Sequence, residues 1–164
     1  MERRRPQQQK RKSEFDDRLL EMRRVSRVIA GGKRFSFRAT VVVGNRKGRV
    51  GIGVAKGLDF VSALEKARRH AERRSVNVNI LDQRTILYEV EAKFGAARIR
   101  LKPAKKGHGL IAGGSARPVL ELVGISDISA KIIGRTTNKI ANARATLKAL
   151  QMLPVARVKK ENNV

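Results

Sequence analysis

The sequence predicts an α+β fold made of two small domains, a β-β-β-α unit followed by a β-β-α-β-α unit. Three observations predict it. Residues 31–57 read GGKRFSFRATVVVGNRKGRVGIGVAKG, in which apolar side chains alternate with polar ones or glycine on both sides of a Gly-Asn-Arg-Lys-Gly turn. A period of two marks half-buried strands, and residues that tolerate positive φ mark the turn between them. After Gly57 the period lengthens to that of a helix. Beyond a polar break at Asp82-Gln83-Arg84, strand and helix patterns alternate again as far as Leu150. The expected organisation is a basic tail at 1–13, a first domain at 14–77, a second at 84–153 and a tail at 154–164.

Each element follows from its own residues. Residues 1–13, MERRRPQQQKRKS, are polar and basic with no apolar period, so they are expected to be a disordered tail that condenses on phosphate or simply aids solubility. Residues 14–30 carry two signals. Leu19, Leu20 and Met22 suit a helix over 14–23, while Arg24-Val25-Ser26-Arg27-Val28 suits a strand; a strand that joins the hairpin as its third member is the expectation. In the hairpin, Phe35, Phe37, Ala39, Val41 and Val43 share one face, and Arg34, Ser36, Arg38 and Thr40 the other. Val50, Ile52 and Val54 then alternate with Arg49, Gly51, Gly53 and Ala55. In the following helix Val61, Leu64, Ala67 and Ala71 form the apolar stripe, with Lys66, Arg69 and Arg73 away from it. Asp59 or Ser62 can cap its start, and Ser62 with Glu65 has the spacing of a capping box. A short β-prone piece at 76–81 leads to the boundary.

In the second domain, residues 86–92 and 97–102 read as strands around a turn at Gly95-Ala96. Ile99 and Leu101 point one way, and Arg98, Arg100 and Lys102 the other. Residues 102–114 form a Gly-rich basic loop. Ser115 is expected to cap a helix through Val123, with Pro118 in its first turn and Gly124 closing it. Residues 128–133 are β-prone. Thr136-Thr137-Asn138 caps a last helix, whose buried stripe is Ile140, Ala143, Leu147 and Leu150 and whose end is Pro154.

Composition narrows the function. The chain has 164 residues, is 41% hydrophobic and only 4% aromatic, and carries a net charge of +24. There is enough apolar material for an aliphatic core, but self-repulsion on this scale opposes compaction unless a polyanion relieves it. Nucleic acid is the expected partner, with an anionic membrane as the competitor. The apolar runs are too short to span a bilayer, and the basic N-terminus lacks the apolar segment of a signal peptide. With no cysteine, a thiolate metal site, a disulfide and a thiol nucleophile are all excluded. No metal, cofactor or catalytic residue is expected.

Arg46, Lys47 and Arg49, at the hairpin turn, are the first candidates for phosphate contact. Arg23, Arg24 and Arg27, with Lys33 and Arg34 across Gly31-Gly32, form a second basic segment; Arg38 and Lys56 complete the set. From 23 to 74 there are fifteen basic and three acidic side chains. Phe35 and Phe37 invite comparison with the RNA-recognition-motif pattern, but its glycines and final aromatic are missing. Both rings share the face of Val41 and Val43, so core packing is the expectation over base stacking. Gly51 and Gly53 leave a bare patch that another backbone can approach, either RNA or the second half of the chain. The loop with Lys105, Lys106, Gly107, His108, Gly109, Gly113 and Gly114 precedes a helix and could bind an anion. It lacks the GxxxxGK[ST] of a P-loop and only weakly resembles the phosphate loop of the galactokinase–homoserine kinase group. His70 and His108 have no obvious acidic partner in a catalytic pattern; the carboxylates that follow His108 are Glu121 and then Asp127. A docking loop for RNA or protein is the expectation.

The run at 31–57 with the Ala- and Arg-rich helix after it, and then GLIAGGSARPVLELVGISDISAKIIGRTTN followed by NARATLKAL, closely resembles the fifth protein of the small ribosomal subunit in its bacterial form. The likeness covers about residues 14–153. It implies a first domain like a double-stranded-RNA-binding fold without its first helix, and a second with a left-handed crossover. It implies binding to 16S rRNA, a role in subunit assembly and decoding accuracy near the side where mRNA enters, contacts with the fourth and eighth small-subunit proteins, and a place in the cytoplasmic ribosome, with no membrane or small-molecule substrate. By position, residues 24–32 resemble the loop that approaches the head–neck RNA and the spectinomycin site, with Arg27-Val28-Ile29-Ala30 departing from the family. Residues 107–114 resemble the segment near the fourth protein. The alternatives are a free-standing double-stranded-RNA-binding module and a phosphotransferase using the Gly-rich loop.

Overall fold

A computed structural model describes residues 14–82 and 84–153. The tails expected at 1–13 and 154–164, with Pro154, lie outside the described residues.

Residues 14–30 resolve in favour of extended chain. β1 (Asp16–Ile29) pairs antiparallel with β2 (Gly32–Gly44) along its whole length, from Asp16 opposite Gly44 to Ile29 opposite Gly32. The helical alternative for 14–23 is thus excluded: in the sheet Leu20 and Met22 pack against different cores, while Leu19 stays 40% exposed. A bulge between Leu19 and Glu21 turns Leu20 towards one side of the sheet while Met22 packs on the other. β3 (Arg49–Gly57) pairs with β2, and a short β4 (Val76–Asn77) adds a fourth strand where three were expected.

α1 (Phe60–Arg73) lies on one face of this sheet. Its buried stripe is Ala63, Ala67 and Ala71; Val61, expected inside, is exposed, and Leu64 is half-buried. The reason is across the interface. A methyl on Gly53 would overlap the Ala67 carbonyl oxygen, one on Gly51 that of Ala71, and one on Gly57 would meet the Ala63 backbone. Backbones this close need small residues on both sides, so the glycines receive neither RNA nor the second half, but α1. Asp59 stands at the N-cap without a side-chain capping bond.

The second sheet runs β5 (Val90–Phe94), β6 (Ala97–Pro103), β8 (Ile128–Ile132), β7 (Leu110–Ile111). The first strand starts four residues later than expected, because buried Thr85 and Ile86 are followed by exposed Leu87, Tyr88 and Glu89. β7 was not expected within the Gly-rich loop; it pairs parallel with β8, and α2 (Ala116–Val123) makes the crossover between them. Gly124 closes α2 at φ 97°, but Ser115 makes no capping bond. Asn138 does cap α3 (Lys139–Gln151), its Oδ1 accepting from the N–H groups of Ile140 and Ala141. Ala143 and Leu150 of the expected stripe are buried; Ile140 and Leu147 are half-buried, and Ala145, Thr146 and Ala149 are inside instead.

The elements stack as α1, first sheet, α2 with α3, second sheet. One hydrophobic core unites Val42, Val50 and Ile52 of the first sheet with Leu120, Leu122 and Val123 of α2 and Ile99, Leu101 and Leu150 beyond. A smaller one joins Ala39, Val41 and Val43 to α1. The middle of β2 is therefore buried on both faces, including Thr40.

Candidate nucleic-acid interface

β3 leaves the sheet at Gly57, whose partner is Phe37. Past that point β1 and β2 continue alone to the turn at Ala30-Gly31, a two-stranded arm extending roughly 17 Å beyond the sheet at a strand rise of about 3.3 Å per residue. The register places its cations. Arg23 faces Arg38, which in turn faces Lys56, so three cations form one row across three strands. Two rows further out, on the same face, Arg27 lies directly opposite Arg34. Like charges facing each other across an antiparallel pair repel. Glu21 relieves the inner row, 2.8 Å from Arg23 and 3.9 Å from Arg38. Arg27, Lys33, Arg34 and Lys56 have no carboxylate partner among the described residues, and there is no Asp or Glu in the sequence from 22 to 58.

On the opposite face of the arm, the Arg24 guanidinium lies 3.7 Å from the centroid of Phe35. Phe37 packs beside α1 as expected. Phe35 does not: it is 47% exposed and belongs to neither core. The expectation of core packing for this ring is corrected, because α1 and β3 do not reach that far along the arm.

Arg46, Lys47 and Arg49 sit at the other end of β2, roughly 40 Å from the arm's tip by the same rise. Their turn is docked. The Arg46 N–H donates to the Leu122 carbonyl (2.9 Å), the Gly48 N–H to that of Val123 (2.8 Å), and Asn45 Oδ1 accepts from the N–H groups of Lys47 and Arg49. Arg46 also pairs with Asp16 at 2.9 Å; Arg49 donates to Ser75 Oγ and faces the Phe15 ring. Lys47 alone of the three has no side-chain partner among the described residues.

The loop after β6 is fastened by Asp127. This buried carboxylate accepts from the Gly109 N–H (2.8 Å) and from Arg84 (3.2 Å). The Gly109 N–H, and then Arg84, hold its carboxyl below the usual carboxylate range against the opposing effect of burial. Asp127 therefore serves the loop backbone and not His108, which is exposed; His70 Nδ1 lies 3.3 Å from the Val54 carbonyl. Gly107, Gly109 and Gly114 all have positive φ, while Lys105 and Lys106 project outward and Gly113 accepts from the Ala116 N–H. No cluster able to hold a metal occurs among the described residues. The Arg84–Asp127 latch is invisible in sequence, since its members are 43 positions apart.

The outer face of the second sheet offers a contrast. Arg98, Arg100 and Lys102 are all paired there with Glu89 or Glu91 at 3.2–3.5 Å. Lys93 and Lys131 extend that face and keep it basic, but its three central cations each have a carboxylate partner, whereas Arg27, Lys33, Arg34 and Lys56 of the arm region have none among the described residues.

Two family models match the chain. The family model described as ribosomal protein S5, N-terminal domain, matches residues 15–79, and the one for its C-terminal domain matches residues 92–161. Small ribosomal subunit protein uS5 of Campylobacter jejuni is 48% identical over 143 residues, 87% of this chain and 95% of the relative. That of Thermosynechococcus vestitus is 42% identical over 151 residues, 92% and 86% of the two chains, and that of Magnetococcus marinus 45% over 139 residues, 85% and 78%.

Proposed function

The chain belongs to the ribosomal protein S5 family, and on that premise we propose that it binds 16S rRNA through the β1–β2 arm as an architectural part of the small ribosomal subunit. Its role is structural, not enzymatic. The observation that carries the proposal is the Arg23–Arg38–Lys56 row with the facing Arg27 and Arg34, five cations set against the single carboxylate of Glu21. Arg24 and Lys33 add to it from the arm's other face. Lys47 contributes at the far end of the sheet; Arg46 and Arg49 chiefly tie the turn down.

The units at 14–77 and 84–153 divide the work. The first carries the RNA arm. The second presents residues 105–114 to a protein neighbour, the fourth small-subunit protein by family resemblance, with the eighth also adjoining and mRNA passing nearby. Influence on assembly and decoding accuracy follows from holding these parts in register.

The test is equilibrium binding of the full chain to a 16S rRNA transcript across a salt series. Arg27→Ala and Arg34→Ala are each expected to lower the slope of log affinity against log salt by about one, the signature of one lost phosphate contact. Slopes unchanged in these variants and in Arg38→Ala and Lys56→Ala would remove the arm as the RNA-binding surface.

A further inference from the structure

We propose that Arg24 and Phe35 form a stacking site for one unpaired nucleobase of the bound RNA. The site rests on the RNA-binding role above and adds base contact to what is otherwise phosphate contact.

Phe35 stands beyond the last β3 partner, so neither β3 nor α1 lies against it. Its direct neighbour across the arm is Ser26, too small to cover the ring, and Arg24 reaches it diagonally to lie 3.7 Å from its centroid. One face thus has a planar cation stacked on it while nearly half of the side chain stays open to water. An exposed ring of this kind would serve a protein contact equally well were its surroundings mixed in charge. They are not: Arg24 and Lys33 share its face, Arg27 and Arg34 lie on the reverse of the same two strands, no Asp or Glu occurs from 22 to 58, and an apolar protein partner would bury the cations of that face unpaired. A nucleic acid supplies phosphate for the cations and a π-face for the ring together. Bases inside a duplex are already stacked, so the base taken is one in a loop, bulge or single strand. Arginine beside the ring extends the platform through its own planar face.

Three variants of the full chain test this against a 16S rRNA transcript. Phe35→Ala and Phe35→Leu are each expected to weaken binding by roughly 5- to 150-fold, the range for one base–aromatic stack, with the salt slope unchanged. Binding to inorganic polyphosphate, which has charge but no base, should be unaffected. The thermal midpoint should also hold, since Phe35 lies outside both cores. The chain has no tryptophan, so Phe35→Trp introduces a single emitter. Its fluorescence is expected to be quenched by single-stranded polyadenylate and not by inorganic polyphosphate. Parent-like affinity of Phe35→Leu for the transcript, or equal quenching by the two polymers, would overturn the stacking site while leaving phosphate binding intact. Failure of the parent chain to bind the transcript would instead overturn the RNA-binding role and the stacking site with it.

Discussion

Asp127 shows how much a single side chain decides. It is 4% exposed, yet ionised, because the Gly109 N–H and the Arg84 guanidinium meet its two oxygens. Its carboxyl is held below the usual range in the folded state. The resulting stabilisation is therefore complete above the unfolded-state pKa and is lost as pH falls through the lower, folded one. Thermal melts between about pH 5 and pH 2 are expected to show a steeper acid-side loss for the parent than for Asp127→Asn, which has no proton to take up. Parallel curves would deny the latch a role in stability. Single residues are also where sequence reading stopped. Phe35 and Phe37 occupy equivalent positions in one alternation, and only the point at which β3 ends separates a core ring from an exposed one. That point is written in β3 and its turn, not in the residues around either phenylalanine.

Among the elements, the arm carries an unfavourable local pairing, Arg27 opposite Arg34. Arg27→Glu would place opposite charges across from each other at the Arg34 position. It is expected to leave the free protein as stable as the parent or more so by about 0.2–1 kcal/mol, while lowering affinity for the rRNA transcript. A melting temperature that fell, with RNA binding kept, would contradict this account. α3 makes a separate case. Leu150 is 1% exposed and Leu147 is only half-buried. Leu150→Ala should cost about 2–5 kcal/mol in denaturant titration, and Leu147→Ala clearly less; equal losses would mean that the two sites are equally packed. The existence and order of the main strands and helices were legible from periodicity. The buried faces of α1 and α3 were not, because alanine decides them. A stripe of Ala63, Ala67 and Ala71 is selected by the glycines it touches, and hydrophobicity alone favours the larger Val61.

For the whole molecule, the continuous core makes the two halves interdependent. A methyl on Gly44 would overlap the Leu122 carbonyl oxygen, and one on Gly124 that of Arg46. These two glycines let the hairpin turn and the end of α2 touch through their backbones. Gly44→Ala is expected to lower the midpoint of one common unfolding transition by forcing that contact apart, since an overpacked site typically costs about 1–3 kcal/mol. Two resolved transitions in the parent protein, with only one moved by the substitution, would show the halves to be independent. This joint was not legible beforehand, because each glycine has a sufficient local explanation as a turn or a helix end.

β2 runs unbroken from the tip of the arm to the joint with α2. A load applied at Gly32 thus travels the length of one hydrogen-bonded strand to Leu122 without meeting a hinge. The strand would behave as a strut: a displacement felt by the arm would be delivered to the opposite end, and loosening the Gly44 joint would slacken both.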